Sequence, residues 1–411
     1  MDKEVTKKIA PTELGRRLSI VRRSKNLSQE EVAQRLEVSR PTLVAIEKGV
    51  RAIKPEELKA LAQLYGKTVH SLVSQREFVA DFAPLFRITQ GLDVSPDVID
   101  NAVKSFQQMC EDYLSLESLM QAPMPLYTYP EPYPQEGLSP HIAAEEAATN
   151  ERSRLNLGFG PISDLLEVLE NDAGLRVFVL PLSEFKIAGM FAYTDRLGGC
   201  ILVNGSHPLT RQNWSLAHEY AHFLSDRFKE DITILFEYDR KPRKEQFADA
   251  FAASFLMPAI GLRPRFHRIV QSRKDFVNAD LCRLADQYSV SVEAMTRRLE
   301  SLGSLPNGTW EKVHAEGYDK TKMNSFLGIQ RQEAHRQRFP ERYVRLAVQA
   351  FEEERITESE LARLLKCIRV EAREIVGKLV RPLEVGATGI TYELDLNLGN
   401  SIELALSERR A

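Results

Sequence analysis

Two histidines four residues apart, with a glutamate directly after the first, stand in the stretch WSLAHEYAHFLSD, Trp214 to Asp226. On a helix, His218 and His222 lie one turn apart on the same face, so their ring nitrogens can converge on one cation. Glu219 is rotated by roughly 100° from His218, which places its carboxylate beside that cation. The pattern predicts a catalytic metal site in which Glu219 is the general base, because a bound zinc ion lowers the pKa of its water to about 7.

Two histidines and a water require at least one more protein ligand. Glu245, in KPRKEQFADAFAASFLMP, lies early in the next predicted helix, and an antiparallel return of the chain would bring it back to the metal. Asp249, one turn further on, could accept a hydrogen bond from a histidine N–H. The donor types favour Zn²⁺, although Mn²⁺ or Fe²⁺ would also fit. A purely structural zinc site is less favoured, because Glu219 would have no role and such sites prefer cysteine.

The length and charge of the chain set the frame for this site. At 411 residues the chain is too long for one ordinary core, and two to four domains are expected. The formal net charge of −3 hides an asymmetry, since residues 1–76 hold 16 Lys and Arg against 9 Asp and Glu. This first segment is therefore the candidate for a polyanionic partner.

The four cysteines are scattered and form no CxxC pair, which argues against a disulfide framework and against a cysteine zinc site. No apolar run approaches the ~18 residues that span a bilayer, and the N-terminus lacks the apolar region of a signal peptide. We expect a soluble, cytoplasmic protein with no membrane partner. The cysteines are Cys110, Cys200, Cys282 and Cys367.

Periodicity predicts five short helices within 12–73 and a longer helix from Ser95 to Leu119. Six prolines between Ala122 and Pro140 then indicate a semi-rigid linker, with a domain boundary near residue 138. Beyond it, helical segments alternate with the strand-like stretches RVFVLPL, KIAGMFAY and GCILVN, and two or three further helices precede a terminal β-hairpin, in which Ile390 to Leu396 alternate and Ile402 to Leu406 follow.

The fold class is therefore α+β. An all-α five-helix domain should be followed by a mixed domain of helices on a small sheet, and then by a helical C-terminal region with a β-hairpin. The predicted domains are 1–75, 76–137 (connector and linker), 138–305 and 306–411.

Within the basic segment, LSQEEVAQRLEVSRPTLVAIEKGVR predicts two short helices joined by a tight turn. Ser28 and Glu31 form a capping box for the first helix, and Ser39 caps the second. This is the geometry of a helix-turn-helix, whose second helix enters the major groove of DNA. Gln29 and the first helix's N-terminus would meet phosphate, and the exposed face of the second helix would carry Arg40, Thr42 and Lys48.

The stretch SQEEVAQRLEVSRPTLVAIEKG resembles the XRE (Cro/C1-type) helix-turn-helix family, although the family usually has glycine at the turn, where this chain has Glu37. A non-glycine residue there costs up to about 1 kcal/mol if its φ is positive. By family position the base-reading residues would be Arg40, Pro41, Thr42 and Ala45. The alternative is a helical bundle that binds a protein or dimerises.

Three blocks, RLNLGFGPISDLLEVLE, CILVNGSHPLTRQNWSLAHEYAHFLSD and EQFADAFAASFLMP, resemble the ImmA/IrrE metallopeptidase family over about 140–305. The resemblance implies a minimal zincin fold with His218, His222 and Glu245 as zinc ligands and Glu219 as catalytic base. In the positions around the motif, Tyr220 and Ala221 depart from the family pattern. The family's edge strand holds an extended substrate, and Gly199–Asn204 is the candidate for that strand.

Together the two resemblances imply a fusion of a type in which related peptidases cleave XRE-type repressors after stress or in phage-related responses. The first hypothesis is thus a DNA-binding, metal-dependent endopeptidase that cleaves a transcriptional repressor under control of a signal. The second is a transcription factor whose peptidase-like domain binds metal or effector without cleaving. A homodimer on double-stranded operator DNA is expected, because helix-turn-helix modules bind paired half-sites.

The C-terminal stretch RITESELARLLKCIRVEAREIV also suggests a helix-turn-helix. However, Cys367, Ile368 and Arg369 are a poor sequence for the turn and the start of a recognition helix. The sequence favours a packing or dimerisation helix pair over a second DNA reader.

Overall fold

The structure is a computed structural model. It describes residues 10–24, 27–65, 69–73, 96–124, 129–133, 139–182, 187–194, 197–227, 233–235, 242–316, 328, 338–380, 383–385 and 391–393. The chain divides into two compact units, Met1–Pro340 and Glu341–Ala411. None of the described helices combines the length and apolarity that a membrane-spanning helix requires.

The N-terminal helices form where the sequence predicts them, around one apolar core that includes Leu18, Val32, Leu43, Leu61 and Tyr65. Capping side chains begin the second and third helices, as expected from Ser28 and Ser39. The helices are α1 Pro11–Ser24, α2 Gln29–Arg35, α3 Arg40–Glu47, α4 Pro55–Tyr65 and α5 Val69–Val73.

A four-stranded sheet forms the centre of the next domain. Its strands are β1 Arg176–Leu180, β2 Gly189–Thr194, β3 Gly198–Asn204 and β4 Thr233–Leu235, in the order β1-β3-β2-β4. Strand β1 pairs in parallel with β3, and the other neighbours are antiparallel. Because β3 has a partner on both sides, the prediction that Gly199–Asn204 is a substrate-holding edge strand is wrong. Strand β4 lies at one end of the sheet instead.

Helices cover both faces of this sheet. The central helix α9, Leu209–Asp226, contacts β2 and β3, and α10, Arg243–Leu256, packs on α9. The long helix α6, Pro96–Leu119, reaches the sheet through Tyr113, whose ring meets Phe178 edge-on at 6.3 Å. The remaining elements of this unit are α7 Pro140–Arg154, α8 Leu165–Glu167 with a π-helical turn Val168–Asp172, α11 Ala259–Arg273, α12 Asn278–Gln287, α13 Val292–Ser301 and α14 Thr309–Ala315.

The part of the proline-rich stretch that the structure describes is bound to this domain. The amide N–H of Tyr133 donates to the carbonyl of Leu224, at 3.0 Å, and the hydroxyl of Tyr129 donates to the carbonyl of Gly174, also at 3.0 Å. Tyr129 also meets Phe223 edge-on at 4.9 Å. Residues 129–133 therefore do not act as a free spacer, because their aromatic side chains are held against the core.

In the C-terminal unit, the residues that the structure describes form three helices and a small hairpin. Its helices are α15 Glu341–Glu352, α16 Glu358–Leu364 and α17 Arg369–Val380. A strand occurs at Thr391–Glu393, within the predicted alternation, but it pairs with the preceding Leu383–Val385. The predicted partner strand from Ile402 to Leu406 lies outside the described residues.

Candidate metal centre and DNA-binding surface

Helix α9 carries the two histidines and the glutamate between them. Pro208 precedes its first turn, and Leu216, Tyr220, Phe223 and Leu224 are among the apolar residues that its inner faces bury. His218 and Glu219 are fully buried and His222 is 1% exposed. The one-turn spacing places the Nε2 atoms of the two histidines 3.2 Å apart, as the sequence predicts for two ligands of one metal ion.

Helix α10 supplies the third donor. Glu245 lies in its first turn, and Glu245 Oε2 is 3.1 Å from His218 Nε2 and 3.5 Å from His222 Nε2. Aromatic packing between the two helices holds this register, for example the contact of Tyr220 with Phe251 at 5.9 Å between ring centroids. The antiparallel return that the sequence suggests does bring Glu245 to the histidines.

The three donor atoms fit a divalent metal. Ligands at the usual ~2.0–2.1 Å from a tetrahedral ion lie about 3.3 Å from one another. The three observed separations, 3.1, 3.2 and 3.5 Å, bracket that value. Among the residues that the structure describes, this is the His, Cys, Asp or Glu cluster with donor atoms close enough to share an ion. Two imidazoles and a carboxylate are a donor set that zinc accepts.

Carboxylates also stand behind the two histidines. Asp249 Oδ1 lies 3.0 Å from His218 Nδ1, as predicted, and so can orient that ring. Asp226 Oδ2 lies 3.9 Å from His222 Nδ1, just beyond direct hydrogen-bond distance. Asp226 was missed by the sequence reasoning, although its position one turn after His222 on the same helix could have revealed it.

The carboxylates and imidazoles shift one another's pKa values. Burial lowers the pKa of His222, but Asp226 and Glu245 outweigh it and raise the value to about 9. Burial and hydrogen bonding oppose each other at His218 too, and Asp249 and Glu245 produce a net rise in its pKa. Burial raises the pKa of Glu245, yet its bonds to the two histidines bring it far below the usual range. Glu245 is therefore the anionic member of the cluster.

Glu219 occupies a different environment from Glu245. Burial is the largest cause that raises its pKa, to about 7. Neither of its carboxylate oxygens has a hydrogen-bond partner within the described part of the chain. An unsatisfied buried carboxylate is costly unless it serves a function or meets a group such as a water. A pKa near neutrality also suits a general base.

Gly189 on β2 leaves the room that Glu219 occupies. A Cβ at this position would lie 3.0 Å from Glu219 Oε1 and 3.2 Å from Glu219 Cγ. The sequence reasoning missed this residue, since a glycine at the start of a strand has no local signal that connects it with the later helix.

Of the two departures from the family pattern, Ala221 is buried in the apolar core and Tyr220 bonds to residues outside the His218, His222 and Glu245 cluster. The hydroxyl of Tyr220 donates to Glu151 at 2.6 Å, and Arg154 donates to both Glu151 and Tyr220. Tyr133 of the proline-rich stretch donates to the same carboxylate at 3.1 Å. Tyr220 therefore ties α9 to α7 and stabilises the helix that carries the site.

In the N-terminal domain the turn between α2 and α3 forms as predicted, and Glu37 has a φ of 54°. Glu31 and Ser28 complete the capping box. Glu47, part of the Glu-Lys-Gly signature, makes a buried bidentate pair with Arg22, at 2.6 and 3.1 Å. The side-chain amide of Gln29 donates to the same Glu47 at 2.8 Å. This bond holds the side chain of Gln29 against α3. Gln29 is the first residue of α2, whose N-terminus was predicted to meet phosphate.

The predicted base-reading residues lie mostly around one surface depression of about 390 Å³. It is lined by Arg40, Pro41, Val44, Ala45, Lys48 and Val50. Ser39 and Thr42 lie beside it, and their hydroxyl oxygens are 2.9 Å apart within the helix cap. Val44 was missed by the sequence reasoning, although it lies one turn from both Arg40 and Lys48.

Comparison with known proteins gives two domain matches. The helix-turn-helix family model matches residues 18–72. A peptidase family model described as IrrE N-terminal-like domain matches residues 170–300. No curated protein matches the sequence significantly.

Among solved structures, the crystal structure of ComR from Streptococcus suis aligns with 90% of this chain and 94% of its own, at 10% identity. Its TM-score of 0.16 is too low to support an inference about fold or function.

Helices α2 and α3 fall within the first match, and the His218, His222 and Glu245 cluster falls within the second. The chain is therefore a fusion of a helix-turn-helix DNA-binding domain with an IrrE N-terminal-like peptidase domain, the two families that its sequence resembles.

Proposed function

We propose that this protein is a DNA-binding regulator whose IrrE-like domain is a zinc-dependent endopeptidase that cleaves a transcriptional repressor, in a stress or phage-related response. The observation that carries the proposal is the arrangement of three converging donor atoms, two from imidazoles and one from a carboxylate, with a second, unsatisfied carboxylate beside them. His218, His222 and Glu245 are the proposed ligands, and Glu219 is the proposed catalytic residue.

Each residue of the cluster would have a distinct role in peptide hydrolysis. Bound zinc would polarise the scissile carbonyl and lower the pKa of a water. Glu219 would take a proton from the attacking water and deliver it to the leaving amine nitrogen. Asp249 would hold the His218 ring in the tautomer that leaves Nε2 free for the metal. Manganese or iron would also be accepted by these ligands.

The edge of the sheet at β4 is the proposed place for an extended substrate. Strand β4 pairs with β2 in a register that sets Leu235 opposite Gly189, the residue that faces Glu219. A peptide added along β4 would extend the sheet by main-chain hydrogen bonds. This assignment replaces the one on Gly199–Asn204, which is an interior strand.

Activity of this site is proposed to be conditional. His218, Glu219, His222 and Glu245 are all between 0% and 3% exposed, so a peptide reaches them only after the structure around them opens. A repressor bound to DNA near the helix-turn-helix domain would meet the peptidase at a raised local concentration. We expect the protein to act as a homodimer on paired half-sites, with Arg40, Pro41, Thr42 and Ala45 at the bases.

The test is Glu219→Gln in cells that also produce a tagged XRE-type repressor, the class of substrate proposed. Because glutamine keeps the size of the side chain but cannot accept a proton, repressor cleavage should fall by at least about a hundredfold. Metal content, measured on the purified variant, should stay unchanged, since Glu219 is not a ligand. Glu146→Gln, which makes the same chemical change at an exposed position on α7, is the control and should leave cleavage intact.

Unchanged processing by the Glu219→Gln variant would overturn the peptidase proposal. The alternative, a regulator whose peptidase-like domain only binds metal or effector, predicts a different pattern. In that case Glu219→Gln would regulate normally, whereas His218→Ala would alter the mobility shift of promoter DNA.

A further inference from the structure

The C-terminal helices α16 and α17 repeat the local structure of α2 and α3. Thr357 caps α16 and shares a capping box with Glu360, as Ser28 does with Glu31 for α2. Five residues after each cap stands a buried alanine, Ala362 or Ala33. Small residues at this position let the two helices of the motif approach closely.

The turn between α16 and α17 also has the same backbone conformation and closing hydrogen bond as the turn between α2 and α3. Nine residues after its cap, each segment has a non-glycine residue in the left-handed region, Lys366 with φ 49° and Glu37 with φ 54°. The next amide closes the turn in both cases, Cys367 to Ala362 and Val38 to Ala33, each at 3.0 Å. A tight turn therefore forms at the place where the sequence argued against one.

The turn alone does not define a surface that reads DNA. Helices α12 and α13 are joined by the same turn, with Ser289 at φ 52° and Val290 bonded to Ala285 at 3.0 Å. There the second helix is packed into the peptidase core, and its Arg298 donates to the carbonyl of Met257. What separates a reader from a packing motif is whether the second helix is exposed.

The start of α17 is exposed in the way that α3 is and α13 is not. Ile368 is 65% exposed and Val370 is 58% exposed, and Arg369 between them is also exposed. Arg369 is the first residue of its helix, as Arg40 is in α3. Beside them is an open depression of about 550 Å³, which three basic side chains and one acidic side chain line. Its lining residues are Ser359, Ala362, Arg363, Lys366, Cys367, Ile368, Arg369 and Glu371.

We propose that α15 to α17 form a second helix-turn-helix, which binds double-stranded DNA with α17 as its recognition helix. Arg363, Lys366 and Arg369 would contact phosphates, and their charge matches a polyanion. The exposed Ile368 and Val370 would make apolar contacts at a base edge. Arg369 also donates to the hydroxyl of Ser359 at 2.7 Å, and Arg373, further along α17, pairs with Glu358 at 2.9 Å, so both side chains also hold α17 against α16.

The test uses the full-length protein, with Arg40→Glu and Lys48→Glu introduced so that the N-terminal reader is disabled. Residual binding to fluorescein-labelled duplex DNA of random sequence is followed by anisotropy over a range of salt concentrations. Adding Arg363→Gln with Lys366→Gln should weaken this binding about tenfold and reduce the slope of log K against log salt by about 1.8, or 0.9 per lost contact.

A matched pair of changes separates contact from overall charge. Arg345 and Arg355 lie outside the depression, with 69% and 40% of their side-chain surface exposed, and each is paired with a glutamate. Replacing both with glutamine removes the same charge and should change affinity less than twofold. The swap Arg363→Lys with Lys366→Arg keeps both charges and should keep binding. Hydrogen exchange in α15–α17 must be equal in all variants, and Arg369→Gln is the substitute if the double variant loses protection.

Equal losses from the test pair and the control pair would overturn the proposal, and so would an unchanged salt slope. Variants that lose self-association but retain DNA affinity would also overturn it, because α16 and α17 would then be a dimerisation pair.

Discussion

At the scale of single residues, Gly189 controls the space around the proposed general base. A methyl group there would press on Glu219 from 3.0 Å, so the carboxylate must shift by a few tenths of an ångström. Since proton transfer depends on fine positioning, Gly189→Ala should lower repressor cleavage by about tenfold or more. Zinc affinity, measured by competition with a chromophoric chelator, should be unchanged, because the atoms nearest to the added methyl group belong to Glu219 and Leu202 and not to the three proposed ligands.

Gly160→Ala is the matched control for this change. A Cβ at Gly160 would meet only Arg265, at 3.8 Å, which is an ordinary contact. Full cleavage by Gly189→Ala would contradict the assigned role of Gly189. Equal losses in both variants would mean that stability, and not the position of Glu219, is affected.

The two aspartates behind the histidines should differ in their effect on metal binding. Asp249 is at hydrogen-bond distance from His218, whereas Asp226 is 3.9 Å from His222. Loss of such an outer partner typically lowers metal affinity by about 10–100-fold. Asp249→Asn should therefore weaken zinc binding by that amount, and Asp226→Asn should weaken it less.

Zinc affinities of the two variants would be compared by the same chelator competition, with Glu146→Gln as an exposed control on α7. A larger loss of zinc affinity in Asp226→Asn than in Asp249→Asn would contradict this prediction. It would mean that His222 lies closer to Asp226 than 3.9 Å when the metal is bound.

At the scale of elements, the Arg22–Glu47 pair joins α1 to the end of α3, and both side chains are less than 9% exposed. Removing one partner strands a buried charge, which typically costs about 3–5 kcal/mol. Glu47→Ala should therefore lower the free energy of opening of α3 amides by about that amount, measured by native-state hydrogen exchange. DNA affinity should fall with it, because α3 carries the reading face.

Two further variants test the reason for this loss. Glu56 is exposed in the first turn of α4, and Glu56→Ala should change the opening energy by no more than about 0.5 kcal/mol. Replacing both partners, as Arg22→Met with Glu47→Leu, should recover most of the stability, because no charge is left unpaired. If the double variant is as unstable as Glu47→Ala, the ion pair stabilises α3 through its hydrogen-bond geometry and not by balancing a buried charge.

Local patterns were sufficient to predict elements that depend on near neighbours. The one-turn spacing of His218 and His222, the caps Ser28 and Ser39 and the alternation in the strands all have such local causes. Glu245 was also found, because it lies early in the next predicted helix, where an antiparallel return of the chain brings it back to the histidines. The order of the strands was not found, since the pairing of β3 with β1 and β2 depends on contacts distant in sequence. The C-terminal turn was missed because Cys367, Ile368 and Arg369 look unlike turn residues, whereas the residue with positive φ is Lys366, which, like Glu37, is not a glycine.

At the scale of the whole molecule, the two functional domains have separate apolar cores. The cluster around Leu18, Val32 and Leu43 shares no residue with the cluster that surrounds α9 and α10. A metal that binds between α9 and α10 therefore stabilises the second core directly, and it reaches the first only if the domains are coupled. Whether the metal also stabilises the N-terminal core therefore distinguishes a metal-sensing regulator from a peptidase that uses the metal only for catalysis.

If the metal serves only catalysis, zinc should slow hydrogen exchange in α9 and α10 and leave α2 and α3 unchanged. The stabilisation of the peptidase domain should be about 2.7 kcal/mol when free zinc is a hundred times its Kd, and a chelator should reverse it. If the protein is instead a metal-sensing regulator, linkage requires that zinc change DNA affinity and that DNA change zinc affinity by the same factor. Exchange measured in full-length protein with zinc, with chelator and with DNA decides between them. If zinc changes the hydrogen-exchange protection of α2 and α3, the two domains are coupled and the independent-domain model is wrong. If zinc leaves that protection unchanged and Glu219→Gln loses cleavage, the metal serves proteolysis.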